Sequence, residues 1–198
     1  MTDQTNKSAI RKMLREGLAA MSLEIRHQKS QSACSFLIHS PEFAAARVVM
    51  LYLSTPHEVD TAPLALRCWQ EGKVVVVPKV SWDQRHMLPV EITSLTTGMT
   101  TTGPGVREPI AGKPIPLDLI NLVVVPGLGF TPHGHRIGRG MGFYDRFLAQ
   151  PNFSGLSCGL AFDEQIIQDI PVLDHDMPLG MLVTDRGIRR FAPDLIRS

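Results

Sequence analysis

Short apolar runs set apart by helical stretches constrain this chain more than any other feature. Val48–Leu53, Lys73–Val77, Leu119–Val125, Gly155–Phe162 and Met181–Thr184 are each apolar throughout most of their length, and all but Gly155–Phe162 carry β-branched residues. A strand with one wet face alternates polar with apolar residues, whereas near-continuous apolarity marks a strand buried on both faces. Between the runs the spacing changes to that of helices. Ser8–Met21 carries Ile10, Met13, Leu14 and Leu18 on one face, and Ser22 is placed to cap a second helix reaching about Ile38, before Pro41. Thr61–Glu71 reads as a helix stopped by Gly72, Gly142–Gln150 as another, and Glu164–Asp169 as a short one. Leu88–Ile115 is richer in Thr, Gly and Pro and reads as an irregular excursion with one edge strand. Strands alternating with helices predict an α/β fold with three α/β/α layers and a mostly parallel sheet, whose ligands bind at the carboxyl ends of the strands.

Composition narrows the class. At 198 residues the expectation is one domain over 1–198, and 43% hydrophobic residues suffice for a full core. No run approaches the roughly 18–20 apolar residues of a membrane span, and the N-terminus lacks a signal-peptide core. A formal charge of +1 points to neither a nucleic-acid nor a membrane partner. Cys34, Cys68 and Cys158 have no CxxC spacing, so neither a disulfide framework nor a zinc site is expected, and a cytoplasmic setting fits.

The densest chemistry lies in Leu122–Leu148, LVVVPGLGFTPHGHRIGRGMGFYDRFL, where a strand runs into Pro126 and a series of glycines. Glycines let backbone N–H groups approach an anion, and a following helix adds its positive end. Arg136, Arg139 and Arg146 bring fork-shaped donors suited to phosphate oxygens. Asp145 is placed to hold a hard cation beside them. The segment is not a Walker loop, since GxxxxGK[ST] is missing, nor a dinucleotide fingerprint, since Pro132 stands at the third glycine position. Gly138, Gly140 and Gly142 alternate as in a backbone nest for anions. His133 and His135 lack a third ligand of matching spacing for a metal. The pattern contains no nucleophile elbow.

These residues, VPGLGFTPHGHRIGRGMGFYDRFL, resemble the signature of the 5-formyltetrahydrofolate cyclo-ligase family, roughly VPGLAFDxxGxRLGxGxGYYDRYL. Lys7 to Arg11 is similar to the family's K-x-x-LR, Glu58–Thr61 to EVDT, and Gly105–Pro109 to GIxEP. Gly159–Phe162 with Gln165 is similar to GLAFxxQ, and His175-Asp176 to a late HD. The chain departs from the pattern at Phe143 for tyrosine, at Met141 for glycine or lysine, at Thr131 for aspartate, and at Gly180 for a second acidic residue.

The resemblance implies a sheet like that of sugar-phosphate isomerases and CoA transferases. It further implies ATP bound by Lys7, Arg11, Gly134, His135, Arg136, Ile137, Gly138, Arg139, Gly140, Met141 and Gly142. Asp145 and Asp176 would be the magnesium ligands, and Glu58, Phe130, Phe143 and Tyr144 the contacts to a reduced folate, with Trp82 and Met87 as further candidates. Arg136 and Arg139 would stabilise the charge on a transferring phosphoryl group. The implied reaction is the ATP- and magnesium-dependent closure of 5-formyltetrahydrofolate to 5,10-methenyltetrahydrofolate, in a monomer or weak homodimer. Two other classes stay open: a CoA transferase using Glu108, and a non-catalytic nucleotide or folate binder. ATP dependence separates the first of these from a cyclo-ligase.

Overall fold

The computed structural model describes residues 2–102 and 106–191, so Gly105 lies outside the described residues. Helix α1 (Thr2–Ala20) starts before the expected Ser8, because its first turn is polar and invisible to apolar periodicity. Ser22 caps α2 (Leu23–Ile38) by accepting the Ile25 N–H at 3.3 Å. Ser40 does the same for α3 (Pro41–Ala45), which has proline in its first turn. There follow β1 (Val48–Met50), α4 (Ala62–Gln70), β2 (Val74–Ser81), β3 (His86–Ile92), β4 (Met99–Thr102) and β5 (Val106–Pro109). The second half holds β6 (Leu122–Val125), β7 (Gly129–Phe130), β8 (Arg136–Ile137), α5 (Phe143–Leu148), β9 (Leu156–Leu160), β10 (Met181–Thr184) and β11 (Gly187–Arg190).

Seven strands form one sheet in the order β11-β10-β9-β6-β1-β2-β3. The run from β10 to β2 is parallel, and each edge is an antiparallel hairpin partner, β11 on β10 and β3 on β2. Successive residues of the central strands feed opposite cores. Val49, Val75 and Val124 join Leu37, Phe43 and Leu64 on one face, while Met50, Val76, Val123 and Val125 join Phe130 and Phe147 on the other. Both faces are therefore covered, giving the three layers that unbroken apolar strands require. Each fully buried large side chain of this kind contributes about 1.5–3 kcal/mol.

Several sequence expectations need correction. β2 continues past Val77 to Ser81 because β3 pairs with it from Val75↔Ile92 to Ser81↔His86, over a stretch too polar for a core strand. The Leu88–Ile115 excursion holds the end of that edge strand and the β4–β5 hairpin. Glu164–Asp169 is not a helix: a 3-10 turn at Asp163–Gln165 ends when Ile167 N–H bonds Phe130 O at 2.9 Å. Leu119 belongs to another 3-10 turn rather than to β6.

Candidate active site

The loops after β1, β2, β6 and β9 all leave the sheet at its carboxyl end, where a cavity of about 390 Å3 opens. The glycine segment is less of a loop than its composition suggests. β7 and β8 make a small hairpin with Phe130↔Arg136 in register, and Gln165 Nε2 fastens its approach by donating to Gly127 O (2.8 Å) and Leu128 O (3.2 Å). Thr131, where the family pattern has aspartate, accepts the backbone N–H groups of His133 and His135 through its hydroxyl. A side-chain oxygen is what this turn requires, and threonine supplies it. Beyond β8 the chain bends through Gly140 (φ 100°) and Gly142 (φ 64°), the left-handed region in which a side chain is strained. α5 then begins, but it is only 6 residues long, so little of the expected helix-end charge is available.

On one side of the cavity, cations and anions interlock. Lys7 on α1 donates to Asp176 Oδ2 at 2.7 Å, and Arg11 Nε donates to Gly138 O at 2.9 Å. Arg136 gives one nitrogen to Asp145 Oδ1 (2.7 Å) and another to Met177 O (2.8 Å), with its side chain only 5% exposed. Arg139 reaches across to Glu58 Oε1 (3.0 Å) and Thr55 Oγ1 (3.1 Å), and its side chain is 48% exposed. Burial pushes the Asp176 carboxyl up, but the Lys7 hydrogen bond, the Leu173 N–H and the nearby charges outweigh it and hold it below its ordinary value.

The side formed by β2, β3 and α5 is different. Val80, Trp82 and Met87 line it, with Trp82 edge-on to Phe143 at 5.4 Å between ring centres. Trp82 Nε1 and Tyr144 Oη are buried and have no hydrogen-bond partner among the described residues. Burial, reinforced by the charge of Glu58 and opposed by Arg136, pushes the Tyr144 phenol well above its ordinary range, so it stays a donor. Buried polar groups are nearly always satisfied. Two such donors facing one cavity mark positions for ligand acceptors.

Most of the expected residues meet here: Lys7, Arg11, Glu58, the segment Arg136–Asp145 and Asp176 all line this cavity. Three do not. Phe130 is fully buried in the core, under Gly127 and Gly159, and offers no face to a ligand. Gly134 and His135 sit in the hairpin turn away from the cavity, where Gly134 bonds Thr131 O and Leu179 N–H. Gly180 also lies elsewhere, with its N–H on Ser157 and its carbonyl accepting from Phe191. Glu108, the residue a CoA transferase would need, is 4% exposed and accepts the Val80 N–H. Thr55, Tyr52 and Arg107 line the cavity unforeseen, although Thr55 and Arg107 stand within or beside segments that drew notice.

Among the described residues no three His, Cys, Asp or Glu side chains gather into a ready-made metal cage. Asp145 and Asp176 on one cavity wall fit a cation that takes its remaining ligands from phosphate oxygens and water.

Fold and site together define an α/β protein with a cavity at the carboxyl end of its sheet, lined by paired cations on one side and by buried aromatic donors on the other. Residues 3–185 match the 5-formyltetrahydrofolate cyclo-ligase family, and the chain belongs to it. The mouse 5-formyltetrahydrofolate cyclo-ligase is 29% identical over 89% of this chain and 92% of its own length. The Escherichia coli K12 enzyme of that name is 28% identical over 87% and 96%. The NMR structure of Aquifex aeolicus 5,10-methenyltetrahydrofolate synthetase superposes with a TM-score of 0.81, at 30% identity, over 97% of this chain and 93% of that one. A Mycoplasma pneumoniae structure of that name shares the fold at 20% identity, with a TM-score of 0.74 over 91% and 99%.

Proposed function

We propose that this protein converts 5-formyltetrahydrofolate to 5,10-methenyltetrahydrofolate, consuming ATP and releasing ADP and phosphate. The observation that carries the reading is the Arg139–Glu58 contact at 3.0 Å, which joins a phosphate-suited wall to a pterin-suited one inside a single cavity. Two ligands meeting there react where those walls meet.

A formamide carbon resists attack by a neighbouring amine because its oxygen leaves poorly. In the proposed sequence the formyl oxygen attacks the γ-phosphorus and ADP departs. N10 then adds to the activated carbon, loses its proton, and expels phosphate as the C–N double bond forms. The substrate brings its own nucleophile, so no covalent enzyme residue is needed, and phosphoryl transfer asks the protein mainly for position and charge.

Arg139 is the more exposed of Arg136 and Arg139, and turns from Glu58 to the transferring phosphoryl group. Arg136, held by Asp145 and Met177 O, positions Asp145 and adds charge from behind. Lys7, Arg11 and the Gly138–Gly142 backbone hold the phosphates. Glu58, once released, accepts from pterin N–H groups, while Trp82 Nε1 and Tyr144 Oη donate to pterin or formyl acceptors. Magnesium held by Asp145 and Asp176 would neutralise phosphate charge. The chain acts as a single domain, in the cytoplasm, as a monomer or weak homodimer.

The test follows methenyl absorbance after mixing protein, 5-formyltetrahydrofolate, magnesium and ATP. Product that requires ATP is expected; product without ATP, or none with it, overturns the reading.

A further inference from the structure

Resting on that reading, the geometry points to a third subsite in the cavity, in which Arg107 binds the carboxylates of the folate's glutamyl tail. Each other cation lining the cavity is already committed: Lys7 to Asp176, Arg136 to Asp145, Arg139 to Glu58, and Arg11 to the Gly138 carbonyl. Arg107 is exposed, and among the described residues its hydrogen bond is a long one of 3.4 Å to Leu95 O, with no carboxylate beside it. Its backbone is firmly placed even so. The neighbouring Glu108 accepts Val80 N–H at 3.0 Å, and Lys79 Nζ reaches Ile110 O at 2.7 Å, so both ends of this stretch are tied to β2. Side chains alternate along a strand, so with Glu108 turned inward Arg107 projects toward the opening.

The position along the sheet supplies the rest. Asp145, Asp176 and the glycine segment follow β6 and β9, Glu58 follows β1, and Val80, Trp82 and Met87 belong to the β2–β3 hairpin against which β5 packs. From β6 to β3 is three strand steps of about 4.8 Å each, or about 14 Å. A reduced folate has the same order of chemistry: a hydrogen-bonding pterin, an apolar aminobenzoyl ring, then one or more glutamates. With the pterin at Glu58 the ring lies along Val80, Trp82 and Met87, and the glutamate emerges at Arg107. A planar guanidinium takes a carboxylate in two parallel hydrogen bonds.

The experiment compares 5-formyltetrahydrofolate, its triglutamate, and 5-formyltetrahydropteroate, which lacks glutamate altogether, on wild type, Arg107→Ala, Arg107→Lys and Arg107→Glu. In Arg107→Ala the KM for the two glutamate-bearing substrates rises about fivefold to tenfold, as expected for one partly exposed charge-assisted pair. kcat, KM for ATP and KM for the pteroate stay within about twofold of wild type. Lysine restores part of the loss and glutamate deepens it. Should a variant fold poorly, wild type alone still prefers the glutamate-bearing substrate over the pteroate, by a margin that shrinks in high salt. An equal rise in KM for the pteroate, or no rise for any substrate, overturns the subsite while leaving the cyclo-ligase reading intact. A wild type that turns over none of the three overturns both.

Discussion

The two walls of the cavity solve opposite problems. The wall after β6 and β9 is full of charge and already satisfied: Lys7 is matched with Asp176 across 169 positions and Arg136 with Asp145 across 9. The wall on β2, β3 and α5 is more apolar and unsatisfied, with a buried indole N–H and a phenol that find no acceptor among the described residues. Cations held together without counter-ions would repel, so pairing them internally stabilises the protein before any phosphate arrives. Uncharged donors are cheaper to leave waiting, at about 1–3 kcal/mol each, and they keep the flat ligand's place specific. On the proposed reading, the charged wall is therefore suited to exchange of partners with phosphate and the apolar wall to direct fit with the folate.

Arg139 gives the sharpest test of that contrast, because it bonds Glu58 and Thr55 at the seam between the walls and is proposed to exchange them for phosphate. Arg139→Ala should cut kcat by about 10²–10³-fold. With the side chain half exposed, its melting temperature should move by no more than about 2 °C. Steady-state rates and a thermal melt check both halves. Arg136→Ala behaves differently, since it strands the Asp145 carboxylate in a poorly hydrated place. A stability loss of about 3 kcal/mol is expected, or roughly 6–12 °C for a chain of this size, read by calorimetry. Equal stability losses in the two variants would erase the distinction between them.

A smaller effect tests the folate wall. Trp82→Phe removes a buried donor that lacks a partner without ligand, so it should leave the ligand-free protein as stable as before or slightly more so. The same change should raise KM for the folate about tenfold with KM for ATP unmoved. A rise in KM for ATP instead would place the indole on the wrong wall.

The smallest effect concerns acid. The folded Asp176 carboxyl titrates below its ordinary value of 3.8, so its contribution to stability is complete above that value and fades as pH falls through the lower, folded one. Lys7→Met removes the main lowering influence. Melts between about pH 2 and pH 5 should then show the variant losing stability less steeply than wild type. Parallel curves would mean that the pair contributes nothing.

Much of this was legible in the sequence, for identifiable reasons. Val49 and Met50, like Val75 and Val76 or Val124 and Val125, feed opposite cores, and strands apolar on both sides point to a sheet covered on both faces. The edges were less visible. β3 and β11 each have a half-wet face and are defined by pairing with a neighbour rather than by their own pattern. In the site, the motif residues Lys7, Glu58, Arg139 and Asp176 converge as the resemblance implied. Phe130 misled because an aromatic residue among glycines looks the same whether it faces a ligand or fills the core beneath them. Gln165 and Thr131 show a further limit: both sit in motifs, yet their hydrogen bonds go to the backbone of the glycine hairpin. The division of labour between Arg136 and Arg139 was equally hidden, since sequence gives both the same forked donor and only burial tells them apart.

The central claim is that the two walls bring a γ-phosphate onto the formyl oxygen of the neighbouring ligand. Labelling that oxygen with the heavy isotope and weighing the phosphate released tests it most directly. The account predicts one labelled oxygen in each phosphate formed during ATP-dependent turnover. Unlabelled phosphate, with the label recovered in water, would contradict it.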